Sequence, residues 1–281
     1  MTLPIAPEPL AAPVIDTHTH LNLHDRYLHG EAVPDADELL ALAAGVGVTK
    51  VVQIGCDVAY ARQSVEMARS RPDVVVGVSV HPNDAARIEE RDGAAALDAA
   101  LAEIAVLARD AVVRAVGETG LDYFRTGPEL HRAQQRAFRW HIDLARELGK
   151  TLVIHDRDAH DDVIAVLEDQ GAPDRVVFHC FSGNAEMARH CGEQGWFMSF
   201  AGPITYKANE SLRAALAVVP EGLLLVETDA PYLAPVPHRG RPNASYLMPN
   251  TVRFMAEQRG VDEARMCGLL YDNAQRAFGA W

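Results

Sequence analysis

At 281 residues, with 48% hydrophobic and 23% charged side chains, the chain has apolar material for one large α/β barrel or two ordinary domains. Its formal net charge of −13 excludes broad, charge-driven binding along a nucleic-acid duplex, though not a local cationic groove. No apolar run approaches a membrane span, the first residues lack the cationic start and apolar core of a signal peptide, and the four cysteines form no CxxC pair; a cytoplasmic protein with reduced thiols and no membrane contact is expected.

Residues 1–13 are rich in Pro and Ala and read as a loosely held leader. From Val14 on, apolar runs of strand length alternate with amphipathic stretches. The pattern predicts strands over 14–16, 50–54, 74–80, 112–117, 151–154, 175–178, 196–200 and 223–227. Helices are predicted over 35–44, 58–69, 94–108, 130–148, 159–168, 185–193 and 211–218, and two more close the chain at 249–259 and 261–278. Eight β-then-α units without a composition break predict a single (β/α)₈ TIM barrel over residues 14–281, with its active site at the C-terminal ends of the strands. A doubly wound open sheet is the runner-up. Its Gly-rich phosphate loop is missing, however, and Asp16-Thr17-His18-Thr19-His20 stands in that place.

Six potential metal ligands stand where these runs end: His18, His20, Glu118, His155, His179 and Asp229. Four imidazoles and two carboxylates suit one or two borderline divalent ions. His18 and His20 are two apart in extended backbone, so their rings share a face, and Asp16 is placed to accept a ring N–H. Glu118 lies between Gly117 and Gly120, and a carboxylate has two oxygens with which to bridge two cations. Asp229, after the eighth strand, can hold an ion and accept a proton from an attacking water, which makes Asp229 and Glu118 the catalytic candidates. Glu227 competes with Asp229, but strand alternation points it to the opposite face. His81 ends the third strand as a substrate-side hydrogen bonder. Arg239 and Arg241, in a cationic loop beyond the eighth strand, are anchors for phosphate oxygens. Lys207, Arg157 and Arg125 add positive charge, and Tyr123, Phe124 and Phe181 offer rings for stacking or packing.

Taken together, these segments resemble the TatD family of metal-dependent deoxyribonucleases, within the amidohydrolase-like barrels. The matching pieces are Ile15 to His20, Val80-His81-Pro82, Gly117 to Tyr123, Ile154-His155 with Arg157-Asp158-Ala159, His179 to Gly183, Glu227 to Pro235, and Arg239-Gly240-Arg241. The resemblance implies two divalent ions, magnesium, manganese or zinc: His18, His20 and Asp229 hold one, His155 and His179 the other, and Glu118 bridges. It also implies cleavage of DNA phosphodiesters, often from a 3′ end on single strands, with no obligatory protein partner. One departure falls at Asn243-Ala244-Ser245, where the family commonly has Asn-Glu-Pro; it bears on substrate contacts around 241–246. The competing expectations are a hydrolase of a small phosphoester, lactone or amide, and a non-catalytic metal-bound interaction protein. Many related barrels bridge their metals with a modified lysine at the fourth strand, where this chain has Glu118, which tells against the first of these.

Overall fold

A computed structural model describes residues 3–21, 23 and 34–281. The strands are β1 (Val14–Thr19), β2 (Val48–Gly55), β3 (Val74–Val78), β4 (Val113–Asp122), β5 (Thr151–Arg157), β6 (Val176–Phe178), β7 (Phe197–Phe200) and β8 (Leu224–Val226). Between and after them run α1 (Ala36–Gly45), α2 (Val58–Ala68), α3 (Pro82–Asp92), α4 (Ala94–Leu107), α5 (His131–Leu148), α6 (His160–Gln170), α7 (Ala185–Glu193), α8 (Glu210–Val218), α9 (Met248–Arg259) and α10 (Glu263–Phe278). The eight strands follow one another in chain order in one sheet, and the pairs described are parallel. A bridge from Thr19 to Ala230 joins the end of β1 to the chain just after β8. The fold is a (β/α)₈ barrel. No helix among the described residues is long and apolar enough to cross a membrane.

Strands flanked by helices are covered on both faces, so their sequences are nearly continuous apolar runs rather than alternating ones. Val74–Val78 and Val176–Phe178 are buried throughout. The helices carry one apolar stripe each. In α5 the buried stripe includes Ala137, Phe138, Ile142 and Leu144, together with the polar Gln134 and His141.

The chain divides into two compact units. The first comprises residues 1–53, 183–276 and 280, and holds β1, most of β2, β7 and β8. Residues of the leader between Pro4 and Ala11 are hydrogen-bonded to it. Leu10 N–H donates to Val46 O at 3.0 Å, and Ala11 N–H to the Glu263 carboxylate at 2.8 Å. The Arg253 guanidinium donates to the carbonyls of Glu8 and Pro9, and the Tyr246 hydroxyl to the Pro4 carbonyl. A Pro-rich segment has little conformational entropy to lose, so a few such bonds fasten it.

The second unit comprises residues 54–182, 277–279 and 281, and holds β3 to β6. Two of its features depart from the pattern read in the sequence. Helix α3 was not predicted, because its buried stripe is only Pro82, Ala85 and Ala86 and most of the rest of the helix is charged. Pro82 at its first turn and the His81 ring, which accepts the Asn83 N–H, start it. Strand β4 also runs five residues beyond its predicted end at 117, through Gly117-Glu118-Thr119-Gly120 to Asp122. The two glycines let neighbouring backbone approach closely. A Cβ at Gly117 would fall on the Val153 carbonyl, and one at Gly120 on the His155 carbonyl.

His141 pins α5 to the strand ends. Its Nε2 accepts the Val80 N–H at 3.2 Å, so the ring proton sits on Nδ1, 2.7 Å from the Ala137 carbonyl and 3.0 Å from the Thr119 hydroxyl. Burial lowers its pKa from 6.5 to about 4. A histidine that is neutral when folded and takes a proton near pH 6.5 when unfolded withdraws stability as the pH falls through that window. For His141 the loss is expected to start near pH 6.5, to be complete near pH 4, and to reach about 3 kcal/mol. Urea unfolding of metal-free protein at pH 7 and pH 4.5 measures it. A His141→Gln variant with the same acid sensitivity as the parent would rule this contribution out.

Candidate active site

The first unit gathers His18, His20 and Asp229. His18 lies in β1 and His20 just after it; Asp229 follows β8 by three residues. Asp229 Oδ1 is 3.8 Å from His18 Nε2 and 3.5 Å from His20 Nε2. Two donors on a tetrahedral ion with bonds of about 2.1 Å lie about 3.4 Å apart, so these atoms are close enough to serve as donors to one cation. The Asp229 N–H donates to the His18 carbonyl at 2.9 Å, and Asp229 itself has φ 53°. Asn243 braces the same turn by donating its side-chain amide to the Thr228 carbonyl at 2.9 Å.

Two expectations are corrected in this unit. Asp16 does not receive a histidine ring N–H. Its oxygens accept the Thr228 N–H and hydroxyl and the His18 backbone N–H, and burial pushes its pKa up to about 7 against these bonds. Glu227 does not point away from the histidines: it is fully buried, with a carboxylate oxygen within 4.8 Å of a His18 ring nitrogen. Alternation counted back from Asp229 fails because the left-handed backbone there breaks the period of two. The departure at 243–245 falls on buried residues. Arg239, Arg241 and Lys207 are exposed, and the Arg239 guanidinium lies 4.5 Å from the Tyr206 ring centre.

The second unit gathers Glu118, His155, His179 and His81. Glu118 lies in β4 and His155 in β5, while His179 and His81 follow β6 and β3. All four therefore stand at C-terminal strand ends, the end at which barrels of this kind carry their chemistry. Around Glu118 Oε2 are His179 Nε2 at 2.8 Å, His155 Nδ1 at 3.3 Å and His81 Nε2 at 3.9 Å. The Cys56 thiol donates to the other oxygen, Oε1, at 3.6 Å. The His155 and His179 nitrogens beside one buried carboxylate oxygen make a donor set that fits a borderline divalent ion, with the His81 ring at its edge.

His81 is neutral here. Its Nδ1 accepts the Asn83 N–H, leaving the ring proton on Nε2, and burial holds its pKa near 3 although the carboxylates of Glu118 and Asp122 pull it upward. His155 is shifted the other way. Burial opposes its protonation, but hydrogen bonds to Asp122 and Glu118 outweigh that and raise its pKa. Asp122, despite burial, is held well below the usual carboxylate range by His155, Asn83 and the Arg125 N–H.

Tyr123, expected at the substrate, has one face stacked on His131 at 3.5 Å, and its hydroxyl donates to Asp162 at 2.6 Å. Arg157 is exposed and lies 4.0 Å over the ring of Phe124, which is 60% exposed. Residue spacing pointed to neither Asp122 nor Gln134 as support. Gln134 receives the Asp122 N–H at 2.8 Å and returns an amide hydrogen to the Asp122 carbonyl at 3.1 Å. The only trace of this in the sequence is a polar pair, Gln134 and His141, on the apolar stripe of α5.

A (β/α)₈ barrel with buried His and carboxylate clusters at its strand ends defines a class of metal-dependent hydrolases. A family model described as TatD related DNase matches residues 15–279. The chain is 41% identical over 274 residues to the uncharacterized metal-dependent hydrolase TatD of Mycobacterium tuberculosis, covering 95% of this chain and 98% of that one. It is 31% identical over 255 residues to a protein of Citrobacter rodentium named 3'-5' ssDNA/RNA exonuclease TatD, covering 88% and 93% of the two chains. Among solved structures, the TatD homolog YjjV of Escherichia coli superposes with a TM-score of 0.84 at 25% identity, covering 95% of this chain and 98% of that one. This chain belongs to the TatD family of metal-dependent hydrolases.

Proposed function

We propose that the protein is a deoxyribonuclease that removes nucleotides from the 3′ end of single-stranded DNA. The observation that carries this reading is the set of three imidazole nitrogens around the buried Glu118 carboxylate, in a chain whose Citrobacter rodentium relative is named an exonuclease. In this reading His18, His20 and Asp229 would hold divalent metal, as would Glu118, His155 and His179; magnesium, manganese and zinc are the candidates. Bound divalent ions supply Lewis acidity toward phosphoryl oxygens and lower the pKa of water. Asp229 accepts the proton of the attacking water. His81, neutral with its proton on Nε2, donates a hydrogen bond to a substrate oxygen. Arg239 and Arg241, with Lys207 and Arg157, hold neighbouring phosphates, and a few local cations on a chain of net charge −13 suit a strand end rather than a long duplex. Tyr123, with one face already covered, serves at the edge of the substrate path.

End-labelled single-stranded DNA, incubated with metal-stripped protein to which magnesium, manganese or zinc is restored, tests the proposal. A ladder shortening from the 3′ end with metal and absent without it is the expected result. No cleavage under any metal would exclude the nuclease and leave a small phosphoester, lactone or amide as substrate.

Arg239→Ala is expected to weaken oligonucleotide binding and to lower the slope of log affinity against log salt by about one. Turnover of a small phosphodiester should stay unchanged. An equal loss on that small substrate would assign Arg239 to the chemical step instead.

A further inference from the structure

His155 stands between two carboxylates. Its Nδ1 is 3.3 Å from Glu118 Oε2 and 3.4 Å from His179 Nε2, and its Nε2 is 3.3 Å from Asp122 Oδ2. Asp122 is itself fixed on every side. Its Oδ1 accepts the Arg125 N–H at 2.9 Å and its Oδ2 the Asn83 amide at 2.8 Å. Its backbone carbonyl accepts from Gln134 at 3.1 Å and from the Thr126 hydroxyl at 2.7 Å. The Asp122 side chain is 2% exposed, so no bulk water competes for these bonds.

We propose that Asp122 is the positioning residue for His155, holding the ring proton on Nε2 so that Nδ1 is the atom offered to a metal ion. The reason lies in donor and acceptor counting. An ionised carboxylate only accepts, so the ring nitrogen facing Asp122 carries hydrogen. Nδ1 faces the Glu118 carboxylate and the His179 ring; a cation held there would take the Nδ1 lone pair, and the one hydrogen left on the neutral ring is then the one on Nε2, facing Asp122. Asp122 stands behind the ring: its Oδ2 faces His155 Nε2, on the side away from Glu118 and His179. Glu118 cannot do the same work, since it faces the other ring nitrogen.

Asn83 extends the arrangement. Its side chain holds Asp122 while its backbone N–H holds His81 Nδ1, so one residue at the start of α3 orients two of the imidazoles around Glu118. A carboxylate behind a ligating histidine fixes ring orientation and raises ligand basicity, and its loss costs about 10- to 100-fold in metal affinity.

The inference rests on the reading of His155 as a ligand, and the test separates the two. Zinc-loaded protein labelled with ¹⁵N in its histidines is expected to show His155 with a protonated Nε2 and a zinc-bound Nδ1. Asp122→Asn should weaken zinc binding, measured by competition with a chelator, by about 10- to 100-fold. The melting temperature of its metal-free form should change little. Asn83→Ala, which removes one bond to Asp122 Oδ2, should shift affinity the same way by less, and it serves if Asp122→Asn does not fold. Zinc bound through Nε2, or unchanged affinity in both variants, overturns the positioning role. A His155 spectrum indifferent to zinc overturns the ligand reading, and this inference with it.

Discussion

Glu118→Ala is expected to abolish tight metal binding and to cut metal-dependent turnover by more than about a hundredfold. Loss of a group that merely supports a ligand already costs about 10- to 100-fold, and Glu118 is the acceptor around which His155, His179 and His81 are arranged. Its removal leaves three imidazoles facing a void and ends the bond from the Cys56 thiol to Oε1. The metal-free fold should survive, because Thr119 and Gly120 keep their pairing to Ile154 and His155. Metal content after gel filtration, set beside the urea midpoint of the metal-free protein, checks both halves of this statement. A variant that retains its ions and its rate would remove Glu118 from the centre of the site.

Gly120→Ala should be nearly as damaging, through the backbone. Gly120 has φ 133°, a conformation closed to side chains with a Cβ, and it pairs with His155 across β4 and β5. The added methyl would meet the His155 carbonyl, so the strands must part or the residue must change its backbone. The expected cost is about 3 kcal/mol or more, with His155 moved off its line to Glu118 and Asp122. Metal affinity should therefore fall along with stability. Urea unfolding without metal, followed by metal titration of the folded fraction, separates the two effects. A midpoint equal to that of the parent would show that β4 and β5 have room at this point.

Much of the barrel was legible in the chain because buried parallel strands leave continuous apolar runs, and polar residues of ligand type stand at their ends. The Val112–Val116 and Leu152–Ile154 runs, followed by Glu118 and His155, illustrate the pattern. Elements whose burial rests on alanine, such as Ala85 and Ala86 of α3, leave no such trace. Strand β4 outruns its apolar run because residues 118–122 hold a single apolar side chain, Leu121. The support given to His155 by Asp122, and to Asp122 by Asn83 and Gln134, depends on contacts between distant segments, which spacing cannot encode. Asp16 shows the converse, since its place two residues before His18 suggested a partner that Thr228 supplies instead.

The left-handed backbone at residue 229 also limits which acid can occupy that position. Aspartate and asparagine enter this conformation far more readily than other side-chain-bearing residues, because a short polar group can bond to the adjacent backbone. Glutamate has the same charge and a similar affinity for cations but lacks that allowance. The latitude for natural variation at this strand end is therefore set by a dihedral angle before coordination chemistry is consulted. Asp229 and Glu227, two residues apart, are not interchangeable carboxylates.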